Sequence, residues 1–236
     1  MLKNKLYDFV LFNFLAQDQK NTEEVMTAGK GFVVPGIVAS DFDNIDKGAS
    51  RVKEIKAASD VVSIGLGGGG NPEFAKRVVD IAALSNPGHI NQPFDQCAYA
   101  NGYLAGKGMP QLVNALVVPS GSVGTVKLPS GLEMKVEELV EIAQAMGIES
   151  IKFMPLKGEA HLEELVYLTK VAAQKGIRGI EPAGGISASN IKEIIQAVKD
   201  IEIEFFMPHI FGSTIDKETG RTIPAEVEKI MQALEG

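Results

Sequence analysis

A lysine interrupts an otherwise apolar stretch at residues 150–158 (SIKFMPLKG). The pattern predicts a short strand that Pro155 and Gly158 stop, where a loop opens. Burial disfavours the charged form of an amine, so a buried Lys152 would have a lowered pKa, and a neutral amine is a nucleophile towards ketones. The alternative is that Lys152 lies at a strand edge and extends its amine to water.

Alternating strand and helix patterns run along the chain and position this lysine. Apolar runs predict eight strands, at residues 6–15, 32–40, 61–66, 89–94, 112–119, 151–156, 179–182 and 204–211. A helical pattern follows each strand. The predicted helices lie at 22–30, 41–58, 71–84, from the end of the fourth strand at 94 to about 105, from 136 until Gly147, and at 161–174, 187–199 and 224–234. Residues 120–133 predict a long polar loop. Eight consecutive units favour a closed (βα)8 TIM barrel over an open sheet, as one domain spanning residues 1–236.

Composition limits the kinds of partner. The formal charge of −7 argues against a nucleic-acid or anionic-membrane binder, and no segment approaches the roughly 20 apolar residues that a membrane span needs. Cys97 is the single cysteine, which excludes an intrachain disulfide and suits the reducing cytoplasm, the location that we expect. We also expect a homo-oligomer, although the sequence does not fix the number of subunits.

Active sites of TIM barrels lie at the carboxyl ends of the strands. Polar residues predicted near those ends include Asn13, Asp41, His89, Asn91 and His209. Strand alternation places Lys152 and Met154 on one face and the large apolar Ile151 and Phe153 on the other, helix-packed face. Lys152 is therefore predicted to point into the barrel. Because a closed barrel has no strand edge, the solvated alternative becomes weaker.

The loops after the seventh and eighth strands are predicted to bind a phosphate group. Barrels often use these loops for this purpose, and here they contain Gly184, Gly185, Gly212 and Ser213. Glycines let backbone N–H groups approach an anion, and a helix that starts nearby adds a favourable dipole. The alternative is that the glycines only form tight turns.

Neither a nucleotide site nor a metal site is expected. Residues 65–70 (GLGGGG) match the string GxGxxG, but no acidic strand end follows at the spacing of a dinucleotide fold. A rim loop that lets substrate approach the backbone is the better interpretation. The histidines are His89, His161 and His209, and no HxH or HExxH spacing occurs, so we expect no metal and no cofactor.

Several motifs resemble those of known aldolases. Residues 152–155 (KFMP) resemble the K-F-F-P segment of 2-keto-3-deoxy-6-phosphogluconate (KDPG) and 4-hydroxy-2-oxoglutarate aldolases, and residues 181–186 (EPAGGI) are similar to their P-T-G-G-I segment. The whole chain is most similar to the KDPG aldolase family of bacterial glucosaminate breakdown. The segments that support this similarity are residues 12–16, 63–67, 89–92, 124–127 and 208–210.

The resemblance implies a class I aldolase whose motif lysine, here Lys152, forms a Schiff base with the substrate. It implies cleavage of KDPG to pyruvate and glyceraldehyde 3-phosphate, with 4-hydroxy-2-oxoglutarate as a further candidate substrate. The partner is then a small 2-keto acid phosphate, with His209 and Asn13 as candidate contacts. Two alternatives stay open: a phosphosugar isomerase or epimerase, and a non-catalytic barrel that binds a phosphorylated ligand.

One departure from the better-known aldolases affects the general base. Those enzymes carry a glutamate and an arginine on an early strand, whereas residues 33–40 (VVPGIVAS) contain neither. Glu181, on the strand beside that of Lys152, is the candidate general base, and an ion pair at the barrel rim is the alternative role for it.

Overall fold

A computed structural model describes residues 4–235 of the chain, and within this range a parallel sheet closes on itself. The barrel strands, in spatial order, are β1 (Phe12–Leu15), β2 (Val33–Val38), β3 (Val62–Gly65), β4 (Gly88–Pro93), β5 (Leu112–Pro119), β8 (Ser150–Phe153), β9 (Gly179–Pro182) and β10 (Phe205–Phe206). Parallel bridges from Val10 to Phe206 and from Asn13 to His209 join the last strand to the first. The TIM barrel is confirmed, and residues 1–3 and 236 of the predicted domain lie outside the described residues.

Eight helices cover the outside of this sheet within residues 4–235. They are α1 (Gln19–Ala28), α2 (Ile45–Ile55), α3 (Ala75–Ser85), α4 (Cys97–Gly106), α5 (Val136–Ala145), α6 (Leu162–Gln174), α7 (Ile191–Val198) and α8 (Pro224–Gln232). Side chains of Asp18 and Asn44 cap α1 and α2 by accepting from backbone N–H groups of the first turn. None of these helices has the length and apolar character needed to cross a membrane.

The interior of the barrel is layered, and this layering positions the site. A separate apolar cluster fills the end where the strands begin; its members are Leu11, Val34, Val61, Leu112, Phe205 and Met207. Further along the strands, the buried side chains are polar: Asn13, Ser63, His89, Asn91, Asn114, Ser150, Lys152, Glu181 and His209. Outward residues such as Ile151 and Phe153 are fully buried in the larger core between sheet and helices. The polar layer therefore lies directly below the carboxyl-terminal mouth.

Several predicted elements differ from the structure in their bounds or type. The first strand begins at Phe12 rather than residue 6. Tyr7 and Asp8 form a turn with positive φ angles of 52° and 68°, which are incompatible with an extended strand. The last strand shrinks to Phe205–Phe206, continued by isolated bridges. The predicted polar loop instead contains an antiparallel hairpin, β6 (Thr125–Lys127) and β7 (Glu133–Lys135), which pairs with the end of β5.

Candidate functional site

Lys152 points into the barrel, as strand alternation predicted. Strand β8 pairs with β5 on one side and β9 on the other, so Lys152 has Leu116 and Glu181 as register partners. Its side chain is only 5% exposed, and Nζ lies 2.8 Å from Asn91 Oδ1 and 3.1 Å from His209 Nδ1. The amine is therefore held by two interior partners from other strands rather than solvated at an edge.

The surroundings bring the pKa of the Lys152 amine close to neutral pH. Burial lowers the pKa of Lys152 to about 8, although the negative charge of Glu181 opposes part of the shift. At pH 7 about a tenth of such amines is neutral, against roughly one in 3,000 for an ordinary lysine. A neutral amine at the mouth of a barrel can attack the carbonyl carbon of a ketone.

Glu181 is the centre of the polar layer and is fully buried. Its Oε1 accepts from His89 Nε2 at 3.0 Å and Ser150 Oγ at 2.5 Å. Its Oε2 accepts from His209 Nε2 at 2.7 Å and Asn114 Nδ2 at 2.6 Å. Burial raises the pKa of Glu181, but its interactions with His89 and His209 outweigh this effect, and the pKa lies well below the usual range. With both oxygens occupied, the carboxylate has no direct contact to offer a substrate.

His209 connects this carboxylate to Lys152. Because Nε2 donates to Glu181, the Nδ1 atom that faces Lys152 is the acceptor of a neutral imidazole. Burial and the neighbouring charge of Lys152 lower the pKa of His209 to about 3, in spite of its bond to Glu181. Glu181 thus fixes the tautomer of His209, and His209 holds the amine.

Ser63 and Asn91 close the network into a ring. His89 Nδ1 lies 2.9 Å from Ser63 Oγ, and Asn91 donates to the same hydroxyl at 3.3 Å and to the backbone oxygen of Ile64 at 3.0 Å. Asn91 Oδ1 then accepts from Lys152 and, at 3.0 Å, from Asn114. A ring of hydrogen-bonded buried groups holds the amine of Lys152 in one place before any ligand arrives.

A cavity of about 300 Å³ opens above the amine of Lys152. Leu116, Met154 and Phe211 form apolar parts of its wall, and Asn91 lies beside Lys152 in the lining. Across the mouth, Asp41 occupies the short 3₁₀ turn that follows β2. Residues 66–70 after β3, the glycine loop, complete the wall. The space suits a small, partly polar ligand whose reacting carbon lies over the amine.

The glycine loop brings backbone, rather than side chains, to the cavity. Gly67 has a φ of +84°, and a Cβ there would lie 1.9 Å from Ser40 Oγ, so a side chain would displace the wall that carries Asp41. Gly70, at +88°, would place a Cβ 2.5 Å from Met154 Cε. The interpretation of this segment as a rim loop agrees with its position beside Lys152.

Substituting Gly67 by Ala tests this close approach. We expect Gly67→Ala to lower the free energy of unfolding by about 2–3 kcal/mol, since it adds a steric clash to left-handed backbone strain. Gly69→Ala is the matched control, because Gly69 also has positive φ but has open space around its added Cβ, and it should lose only about 1 kcal/mol. Equal losses in urea unfolding of the two variants would contradict the proposed contact.

The predicted phosphate residues lie at the same end of the barrel but do not line this cavity. Gly184 and Gly185 pack against the loop after β8, where Gly158 N–H donates to the oxygen of Gly184 at 3.2 Å and a Cβ on Gly185 would lie 2.4 Å from Gly158 N. Ser213 Oγ donates to the oxygen of Ile186 at 3.0 Å and so joins the two loops, while Gly212 is open. The phosphate assignment stays a prediction.

The remaining predicted candidates have mainly structural contacts. Asn13 is buried and donates to the backbone oxygen of Val34 at 2.7 Å, outside the cavity lining. His161 is half-buried and pairs with Glu164 at 2.6 Å. His89 and His209, both predicted near strand ends, meet at Glu181 between them. Within residues 4–235 no cluster of His, Cys, Asp or Glu has a geometry that would hold a metal ion.

Sequence reasoning missed three partners of the network, Ser63, Asn114 and Ser150. Each is a polar residue inside or at the start of a strand that otherwise reads as apolar, as Asn114 does in LVNALVVP. Applying inward alternation to every strand, and not only to that of Lys152, would have placed them in the same layer. Each is 1% exposed or less, and each makes at least one hydrogen bond within the network, although Asn114 Oδ1 has no partner among the described residues.

Solved structures first define the class of fold. Thiamine phosphate pyrophosphorylase from Pyrococcus furiosus superposes with a TM-score of 0.59 at 10% identity, over 97% of this chain and 96% of that one. The carboxyl transferase domain of Rhizobium etli pyruvate carboxylase, in a structure with pyruvate, gives 0.58 at 12% identity, over 97% of this chain and 47% of that one. These likenesses support a TIM barrel and nothing further.

Sequence comparison then identifies the family. The model of the KDGP aldolase family matches residues 6–218. A protein of Salmonella typhimurium named 2-dehydro-3-deoxy-phosphogluconate aldolase is 35% identical over 232 residues, covering 94% of each chain. This chain therefore belongs to the KDGP aldolase family, and the resemblance seen in the motifs is confirmed.

Proposed function

We propose that this protein is a class I aldolase that cleaves KDPG to pyruvate and glyceraldehyde 3-phosphate through a Schiff base on Lys152. The observation that carries the proposal is a buried amine with a lowered pKa of about 8 that faces a small cavity at the barrel mouth. The family and the name of the Salmonella relative support the aldolase class and the phosphorylated sugar-acid substrate. Cleavage of 4-hydroxy-2-oxoglutarate belongs to the same proposal.

The reaction follows from the amine. Neutral Lys152 attacks the C2 ketone, and loss of water from the carbinolamine leaves an iminium ion. This cation accepts the electron pair of the C3–C4 bond as the C4 hydroxyl loses its proton, so the aldehyde departs. The remaining enamine gains a proton at C3, and water hydrolyses the resulting iminium to release pyruvate.

His209 and Glu181 support this chemistry in different ways. Nδ1 of His209 lies 3.1 Å from Nζ and accepts a hydrogen bond from the amine, which holds the nitrogen in place for attack on the ketone. Glu181 acts through His209, because it holds the imidazole in the tautomer that presents a free lone pair to Lys152. In this proposal Glu181 is a positioning residue.

The rest of the substrate extends from the amine towards the loops at the mouth. Gly184, Gly185, Gly212 and Ser213 remain the proposed phosphate site, supported by their place after β9 and β10. Asn13, which lies in the polar layer, remains a proposed substrate contact. The mechanism needs no cofactor. A homo-oligomer and a cytoplasmic location stay predictions.

The pH dependence of Schiff-base formation gives one test. Since protonation removes the nucleophile, the rate should rise about tenfold per pH unit below pH 8 and level off above it. Trapping with pyruvate and cyanoborohydride, followed by mass spectrometry, measures this rate. A midpoint near the ordinary lysine value of about 10.4 would contradict the proposed environment of Lys152.

A coupled assay for pyruvate release tests the proposed reaction and its substrate. The candidates to compare are KDPG, its galactonate epimer and 4-hydroxy-2-oxoglutarate. We expect the highest kcat/KM with KDPG. Exchange of substrate protons with solvent without pyruvate release would support an isomerase or epimerase instead. Binding of all three without any turnover would support a non-catalytic barrel.

A further inference from the structure

Asp41 faces the cavity from the wall across from Lys152. It ends the 3₁₀ turn Ala39–Asp41 directly after β2, the second strand of the barrel, whereas Lys152 lies on the sixth. Both residues line the same space of about 300 Å³, and Asp41 carries the sole carboxylate among the described residues of that lining. A ligand attached to the amine therefore has Asp41 and the neighbouring glycine loop in the wall of the same cavity.

We propose that Asp41 is the catalytic acid/base that removes the proton from the C4 hydroxyl of the substrate in carbon–carbon cleavage. The inference rests on the proposed Schiff-base function and deepens it. It assigns to Asp41 the task for which Glu181 was the candidate in the sequence.

Other groups near the amine cannot take this task. Glu181 is fully buried, lies outside the lining and uses both oxygens for four hydrogen bonds within the barrel. His209 is engaged with Lys152 and Glu181, below the cavity. The other polar side chains of the lining, the hydroxyl of Ser40 and the amide of Asn91, are too weakly basic to accept a proton at neutral pH.

The environment of Asp41 suits proton transfer. The residue is exposed to the cavity, so a substrate can reach it, yet its surroundings raise its pKa through burial, with the bond from Ser40 Oγ at 3.3 Å opposing this. A carboxylate that binds a proton more readily is a better general base near neutral pH. Gly67 permits the close approach of its loop to Ser40 and so supports this wall.

The step balances in atoms and electrons. The O–H bond of the C4 hydroxyl breaks, its proton goes to Asp41, and its electron pair forms the aldehyde C=O bond. The C3–C4 pair becomes the C2=C3 bond of the enamine, and the iminium nitrogen regains its lone pair. Returning the proton from Asp41 to C3 restores the carboxylate and gives the iminium of pyruvate.

Asp41→Asn separates this step from Schiff-base formation. We expect its kcat for KDPG cleavage to fall about 10²–10⁴-fold, because a general base of this kind contributes that factor. Trapping of pyruvate on Lys152 by borohydride should stay within about threefold of the unmodified protein, since that reaction does not use the C4 hydroxyl. Asp43→Asn, two residues along and outside the lining, is the control that should retain both activities.

The outcomes distinguish this inference from the proposed function. Absence of trapping in the unmodified protein would remove the Schiff-base function itself. Normal trapping together with cleavage within about threefold of the unmodified protein would overturn the role of Asp41 alone. Loss of trapping by a folded Asp41→Asn would also overturn it, since Asp41 would then serve an earlier step. If Asp41→Asn fails to fold, Asp41→Ala is compared in the same way, and added formate should raise its cleavage at least about tenfold.

Discussion

Lys152→Met should lower kcat for KDPG cleavage at least about 10⁴-fold, the largest loss that we expect from any single substitution. Met has a similar length but no nucleophile, so the covalent route through an iminium is closed. The fold should survive, because the change removes an amine that is costly to bury and keeps most of the packing. His209 Nδ1 loses its donor, which offsets part of that gain by about 1–3 kcal/mol.

Pyruvate release and thermal unfolding, measured on the same preparation, check this result. Lys170→Met is the matched control, since Lys170 is exposed on α6 outside the barrel interior and should retain full activity. A folded Lys152→Met variant with more than about one-hundredth of the original kcat would contradict the covalent mechanism.

Glu181→Ala should cause the largest loss of stability, about 3–5 kcal/mol in the free energy of unfolding. The substitution leaves His89, His209, Asn114 and Ser150 without their shared acceptor inside the barrel. Because His209 is then free to change tautomer, we also expect slower trapping of pyruvate on Lys152. Urea unfolding gives the stability, and the trapping rate gives the effect on the amine.

Two further variants control for size and charge. Glu228→Ala removes an exposed carboxylate from α8 and should change the free energy of unfolding by less than about 0.5 kcal/mol. Glu181→Gln keeps the shape of the side chain but turns an amide NH₂ towards groups that themselves donate. We therefore expect its loss in free energy of unfolding to lie between those of Glu228→Ala and Glu181→Ala. A loss below about 1 kcal/mol for Glu181→Ala would show that the network does not stabilise the barrel.

Local patterns predicted the barrel and the orientation of its lysine well. Large apolar residues at 151 and 153 require a helix-covered face, and this requirement alone turns Lys152 inward. The eight strands follow from buried, β-branched runs, as in β2 and β5, that no open surface would tolerate. Both conclusions depend on one segment at a time, so no knowledge of distant contacts is needed.

The partners of Lys152 depend on contacts that no local pattern encodes. Glu181 reads from the sequence as a carboxylate on the adjacent strand, yet whether it faces a substrate or four buried donors depends on Ser150 and on side chains of β4 and β5. Asp41 shows the reverse case. The sequence names it only as one of several polar residues near strand ends, and closure of the barrel brings it across from Lys152.

The most direct test of the central claim is the identity of the residue that pyruvate modifies. Incubation with pyruvate and borohydride, followed by proteolysis and mass spectrometry, should find the mass of a reduced pyruvoyl adduct on the peptide that contains Lys152. The adduct should be absent when Lys152 is replaced by Met. An unmodified Lys152 in a protein that still cleaves KDPG, or an adduct on another lysine, would contradict the account.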